Sequence, residues 1–143
     1  MVLDYYGIKK SEAVLAKLCG GDETNGVRAE DIKRVAESFG LKAVIKNNAS
    51  FSDIQKYLKK GVPVIVDWFS RGRNDYSDSE VADGHYSVIV GLDKKYIYLE
   101  DPEIGKLRRI KRFDFLKVWF DFEGNCIKSS KDLILRQMIA IRN

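Results

Sequence analysis

Several things are scarce in this chain, and each scarcity removes a class of function. There is one histidine, His85, and there are two cysteines, Cys19 and Cys126, in 143 residues. No CxxC pair and no His/Cys spacing of a zinc site is present, so neither a resident metal nor any other cofactor is expected. A disulfide between the two cysteines stays open, but two buried free thiols in a reducing, cytoplasmic setting fit the composition better. Long apolar runs are missing as well. The longest, Val62 to Val66 with Trp68 and Phe69 close by, is far too short to span a membrane, and no signal peptide is seen. Charge of one sign is also lacking, since 25 Lys and Arg against 21 Asp and Glu leave a net charge of +4. The one basic run, Lys106-Leu107-Arg108-Arg109-Ile110-Lys111-Arg112, alternates like the solvated face of a strand and has no aromatic platform beside it. Nucleic acid is therefore not an expected partner.

What remains is an ordinary soluble composition, 45% hydrophobic and 32% charged, long enough for one core. Neither internal repeat nor linker interrupts it, so residues 1–143 read as a single domain. The first six residues look like the end of a helix closed by Gly7, with no N-cap and no polar lead-in. The expectation is an N-terminally incomplete domain. Ser11 caps a second helix through Cys19, which Gly20-Gly21 ends. Residues 28–39 repeat apolar side chains every three to four positions and end at Gly40. Residues 41–45 alternate as a strand, and Ser50 or Ser52 starts a helix running to Lys60. Residues 62–68 form the strongest strand, apolar enough to be buried on both faces.

A long polar loop at 70–83 leads into Gly84-His85-Tyr86. Further strands are expected at 85–92, 96–101 and 107–110, a helix at 113–120, a loop at 123–125 and a last strand over 133–141. Helices first and an antiparallel sheet afterwards is an α+β arrangement, with the helices expected on one side of the sheet.

The stretch from Gly84 to Pro102 carries the chemistry. Two strands rich in Val, Ile, Leu and Tyr flank the polar turn Asp93-Lys94-Lys95 and form a hairpin. In the expected register Ile89 faces Ile97, Ser87 faces Leu99 and His85 faces Asp101, which puts a carboxylate beside the imidazole. A slip of one residue would send the two to opposite faces. A carboxylate that orients an imidazole, which in turn takes a proton from Ser or Cys, is two-thirds of a nucleophilic triad. On these two residues alone the plainer reading, a strand-end histidine hydrogen-bonded to a nearby acid, carries more weight.

The landmarks Val2-Leu3-Asp4-Tyr5-Tyr6-Gly7 with Ser11-Glu12 and Leu15, Gly40-Leu41, Gly61-Val62-Pro63-Val64-Ile65-Val66, Gly84-His85-Tyr86, Val90-Gly91, Asp101-Pro102 with Gly105, and Phe113 with Trp119 change that balance. In this order, over nearly the whole chain, they resemble the peptidase C39-like family of papain-like cysteine peptidases. The best known members cut double-glycine leader peptides. The resemblance implies a papain-like fold, a peptide or peptide-like substrate, His85 as general base and Asp101 as its orienting carboxylate. Trp68, Gly84 and Tyr86 are the residues expected to line the peptide cleft. In relatives the nucleophilic Cys and an oxyanion-hole Gln precede the Tyr-Tyr-Gly segment, on the helix that holds Met1 to Tyr6 here, and Cys19 does not match that position. The expectation is therefore a domain inactive as this chain stands, or a peptide-binding module of the same fold. Apolar surface left by the absent helix half would favour a homodimer.

Overall fold

The computed structural model describes residues 1–21, 26–69, 84–122 and 126–143. The loops expected at 70–83 and 123–125 lie outside the described residues, as do residues 22–25. The first helix, α1 (Val2–Tyr5), is a single turn. It is tied down by its tyrosines, whose hydroxyls donate to the Gly61 carbonyl at 2.8 Å and the Ile141 carbonyl at 2.6 Å. Helix α2 (Glu12–Cys19) starts at Ser11, whose side chain accepts from the Val14 N–H, and stops at left-handed Gly20. Helix α3 (Ala29–Ser38) is followed by strand β1 (Lys42–Lys46). Helix α4 (Phe51–Leu58) begins with a full capping box between Ser50 and Asp53, which satisfies two otherwise orphaned backbone donors.

The remaining elements are β2 (Val64–Phe69), β3 (Gly84–Leu92), β4 (Tyr96–Asp101), β5 (Lys106–Lys111), α5 (Arg112–Val118), β6 (Phe120–Phe122), a 3-10 turn at Ser130–Asp132, β7 (Leu133–Leu135) and β8 (Met138–Arg142). Six strands form one antiparallel sheet in the order β1-β8-β2-β3-β4-β5, and β6 pairs with β7 in a separate two-stranded ribbon. This is the mixed α+β arrangement expected, with four corrections.

Helices cover both faces of the sheet, not one. Ile54 of α4 and Phe115 of α5 pack with Val64, Val66 and Trp68 on one face, while Val2 of α1 and Ala29 and Ala36 of α3 pack with Ile65 and Val88 on the other. The physical reason is β2. It sits mid-sheet with apolar residues pointing both ways, and one helical layer would leave half of them in water.

The strand expected over 133–141 is two strands in two sheets, broken at Arg136, which takes φ 46°. The broken backbone is satisfied by Asn48 and Ala49, whose N–H groups donate to the carbonyls of Leu135 and Arg136. The helix expected to reach Phe120 ends at Val118, and Phe120 begins β6.

The fourth correction concerns register. Ile89 pairs with Leu99 and Val88 with Glu100, and a bulge then brings Gly91 opposite Tyr98 and Leu92 opposite Ile97. On the His85 side of the bulge the pairing is displaced by two residues from the expected one, and beyond the bulge by three. An even shift keeps side chains on their expected face, so Asp101 stays on the face of His85 but lies diagonal to it instead of directly opposite. The turn is held by the Asp93 side chain, which accepts from the N–H groups of Lys95 and Tyr96, both at 2.7 Å.

Candidate active site

Strand alternation decides which side chains meet. Trp68 is paired with His85 across β2 and β3, so the two share a face. Their rings stand edge to face with centroids 5.9 Å apart. The buried indole N–H of Trp68 donates to Ser87 Oγ at 3.0 Å, which fixes the floor beneath the imidazole. Asp101, the last residue of β4, reaches the same face. Its Oδ1 lies 2.8 Å from His85 Nε2, with the histidine side chain 13% exposed and the aspartate side chain 0%.

A carboxylate only accepts, so His85 Nε2 carries the hydrogen and the basic lone pair of the neutral ring sits on Nδ1. The Glu103 backbone N–H also donates to Asp101 Oδ1, at 3.0 Å. The other oxygen, Oδ2, accepts from Arg108 Nη1 at 2.8 Å. Arg108 is paired with Leu99, so it too points to this face, and its guanidinium lies 5.6 Å from the centre of the Trp68 ring.

The alternation of residues 106–112 predicts Arg108 on a solvated basic face. The structure inverts that assignment, because Arg108 is buried while Leu107 is 58% exposed. A buried acid across the strand selects a cation at this position, whatever the alternation on its own suggests. Arg109 lies over the Tyr96 ring, so Lys106 to Arg112 do not present one basic row.

His85, Asp101 and Glu103 place one ligand atom each within 4.8 Å of one another. The guanidinium of Arg108 on the same carboxylate opposes a cation there, so the group suits proton transfer better than metal binding.

The residues expected to line a cleft are placed otherwise. Trp68 is wholly buried, so it supports His85 from below and offers no surface to a peptide. Tyr86 is paired with Asp67 and shares its face, the one opposite His85. Gly84 is covered by Asp121 of β6. A Cβ at Gly84 would lie 2.3 Å from Asp121 Oδ2, so only glycine admits that carboxylate.

Together the buried Asp67 and the half-buried Tyr86 and Asp121 form a second cluster that the sequence did not reveal. Burial first, and the nearby Asp121 charge second, push the Asp67 carboxyl up to about 8. Tyr86 is pushed up as well, by burial and then by the charges of Asp67 and Asp121. The hydrogen bond between the two aspartates requires a proton, so the pair holds one between them.

Cys19 stands apart from this arrangement. Cys19 ends α2, and its electrostatic neighbours are Asp31 and Arg34 of α3. Burial and Asp31 push its thiol up, against the pull of Arg34, which is the reverse of nucleophile activation. Both cysteines are free, but neither is buried as expected: Cys19 is half-buried and Cys126 exposed.

The sequence matches the family described as Peptidase_C39 like over residues 1–127. No curated protein matches it significantly. Among solved structures it is similar to the peptidase domain of Streptococcus ComA, a bifunctional ABC transporter involved in a quorum-sensing pathway. That likeness has a TM-score of 0.69 at 20% identity and covers 99% of this chain and 84% of the other. It is also similar to a Bacillus anthracis protein assigned as a C39-like peptidase, with a TM-score of 0.70 at 18% identity and the same coverage of 99% and 84%. At such identities the likeness is one of fold.

Proposed function

The chain belongs to the peptidase C39-like family, and from that premise we propose that its site handles peptides, with His85 as the general base of a thiol-peptidase arrangement and Asp101 as the carboxylate that orients it. The observation that carries the reading is the 2.8 Å contact between His85 Nε2 and a fully buried Asp101. It commits Nε2 to donation and puts the proton-accepting atom at Nδ1. In such a site a thiol beside Nδ1 loses its proton to the imidazole and attacks the peptide carbonyl, and the imidazolium then protonates the leaving amine.

Among the described residues, no hydrogen bond joins a thiol to this imidazole. Cys19 belongs to α2 and α3, with its thiol pushed up, and Cys126 lies exposed beyond β6. By themselves residues 1–143 are therefore proposed to bind peptide without cutting it. No helix among the described residues is long and apolar enough to cross a membrane. The exposed side chains of Met1, Tyr5, Val14 and Leu18 on the first two helices support the further proposal that two copies pair there, which light scattering reads.

The test of function is calorimetry with a synthetic peptide carrying a double-glycine site, followed by mass spectrometry of the mixture. Binding that weakens in His85→Ala, with no product over hours, supports the reading. Product that disappears in Cys19→Ser or Cys126→Ser overturns it, as does binding that His85→Ala leaves untouched.

A further inference from the structure

The carboxylate that faces the imidazole accepts from a different side chain on each oxygen. Asp101 Oδ1 accepts from His85 and Oδ2 accepts from Arg108, each at 2.8 Å. Arg108 is 6% exposed and Asp101 1%, so water screens neither charge well. Opposite charges held this close act on a third group as a dipole, much weaker than the field of a bare carboxylate at the same distance. An imidazole beside a lone buried carboxylate is drawn toward the protonated form, which has no lone pair to accept a proton.

We infer that Arg108 is a positioning residue that sets the base strength of His85, by turning Asp101 into an acceptor with almost no net charge toward the ring. Its guanidinium also rests over Trp68, the floor of the imidazole, so one side chain fixes both the orienting carboxylate and the surface the ring packs on. The catalytic meaning rests on the reading of His85 as general base, whereas the electrostatic content does not.

Among the described residues, the other charged or titratable groups around the ring are few. Glu103 follows β4, and Lys106 stands opposite Asp101 on β5. Asp121 comes from β6 against Gly84. Asp67 and Tyr86 lie on the opposite face of β2 and β3. Helix α5 packs on Trp68 through Phe115, which is uncharged.

The experiment is a proton NMR titration of the imidazole ring signals. It is unambiguous because the chain has one histidine, and it needs no substrate and no thiol. The proteins are the wild type, Arg108→Gln, Arg108→Lys and the double variant Arg108→Gln/Asp101→Asn. The titration midpoint in Arg108→Gln is expected to lie about one pH unit or more above wild type, because the carboxylate is then uncancelled. Arg108→Lys keeps the charge and is expected to restore the midpoint to within about 0.3 unit of wild type. The double variant exchanges one neutral acceptor for another and is expected within about half a unit of wild type.

An unmoved midpoint in a folded Arg108→Gln overturns the inference. So does a double variant whose midpoint falls by more than about one unit, since the ring then felt the full charge of Asp101 in the wild type. If Arg108→Gln does not fold, the double variant decides, because it leaves no unpaired buried charge. Loss of the peptide reading through His85→Ala would leave this titration standing, so the two failures are distinguishable.

Discussion

Replacing Asp67 by asparagine takes away a buried ionisable group and changes the shape of the site hardly at all. Asp67 is 3% exposed. Burial and the neighbouring Asp121 raise its carboxyl from 3.8 to about 8. In the unfolded chain the same group ionises at its ordinary value. Between pH 4 and 8, roughly, the folded protein therefore binds one proton more than the unfolded one, and stability falls as pH rises through that window. The contribution is most favourable at the acid end and levels off above about pH 8, where both states are ionised. One proton corresponds to at most about 1.4 kcal/mol per pH unit. Water entry and side-chain rearrangement relieve part of the repulsion once the shared proton is lost, so the expected fall between pH 5 and 9 is about 2–3 kcal/mol. That is a visible fraction of the ~5–15 kcal/mol that holds a domain of this size together.

In Asp67→Asn the amide N–H donates to Asp121 where the shared proton had been, and nothing at position 67 titrates. The variant is expected to match the wild type or fall slightly below it at pH 5, and to exceed it by about 1–2 kcal/mol at pH 9. The assay is urea unfolding at one-unit pH steps, followed by the fluorescence of the buried Trp68 and Trp119. Subtracting one protein from the other removes every group they share. A difference that stays flat within about 0.5 kcal/mol from pH 5 to 9, near the error of such extrapolations, would refute the shared proton.

Gly84→Ala drives a methyl group into Asp121 Oδ2, 2.3 Å away; a loss of about 1–3 kcal/mol in urea unfolding is expected. The alkaline slope should become shallower with it, since Asp121 is the second cause of the raised Asp67 carboxyl after burial, and Gly84→Ala/Asp121→Ala should regain most of the loss. Phe115 is fully buried, with ring centroids of Trp119 and Trp68 at 5.3 and 5.9 Å. Phe115→Ala should therefore cost about 3–5 kcal/mol in thermal or urea unfolding, and a loss under about 1 kcal/mol would show that this face of the sheet is not the main core. Ser50→Ala removes the capping box of α4 and should cost about 1 kcal/mol near neutral pH. Lys46 first, and Ser50 next, hold the Asp53 carboxyl well below the ordinary carboxylate range. That support exists above the ordinary value and is lost as pH falls through the depressed one, so the Ser50→Ala deficit should shrink in acid unfolding curves.

What the sequence made legible was parity more than position. The alternation of Val, Ile and Leu put His85 and Asp101 on one face, and a register error of two residues left that intact. The bulge between Ile89 and Gly91 has no local signature beyond one glycine, so it passed unseen. Trp68, Gly84 and Tyr86 were grouped with the site because they neighbour His85 in sequence or across the strand pair. The period of two should have separated Tyr86, and the apolar run around Trp68 should have marked it as core. Arg108 was hidden because its cause, Asp101, is a partner across β4 and β5, and a single strand's pattern does not contain its neighbour. The two-layer helical cover was implicit in β2, whose unbroken apolar run needs partners on both faces. The break at Arg136 falls on a non-glycine residue in left-handed conformation, which no turn signal announced.

The same few residues serve two networks because strand neighbours point in opposite directions. Trp68 and His85 commit one face of β2 and β3 to the Asp101–Arg108 pair, while Asp67 and Tyr86 commit the other to Asp121. A base held at the end of a strand is otherwise prone to local fraying, since terminal strand residues have few ladder bonds. Pinning this end from above by an ion pair and from below by a shared proton restricts the backbone of residues 84–87 without demanding that either network touch a ligand. Preorganisation of that kind matters most for a group that must meet another within a few tenths of an ångström. It also makes the two networks separable: Arg108→Gln acts on the ring through charge on its own face, whereas Asp67→Asn acts on the backbone beneath it. If the ring titration moved as much in Asp67→Asn as in Arg108→Gln, the faces would be one electrostatic unit and the division of labour drawn from strand alternation would be wrong.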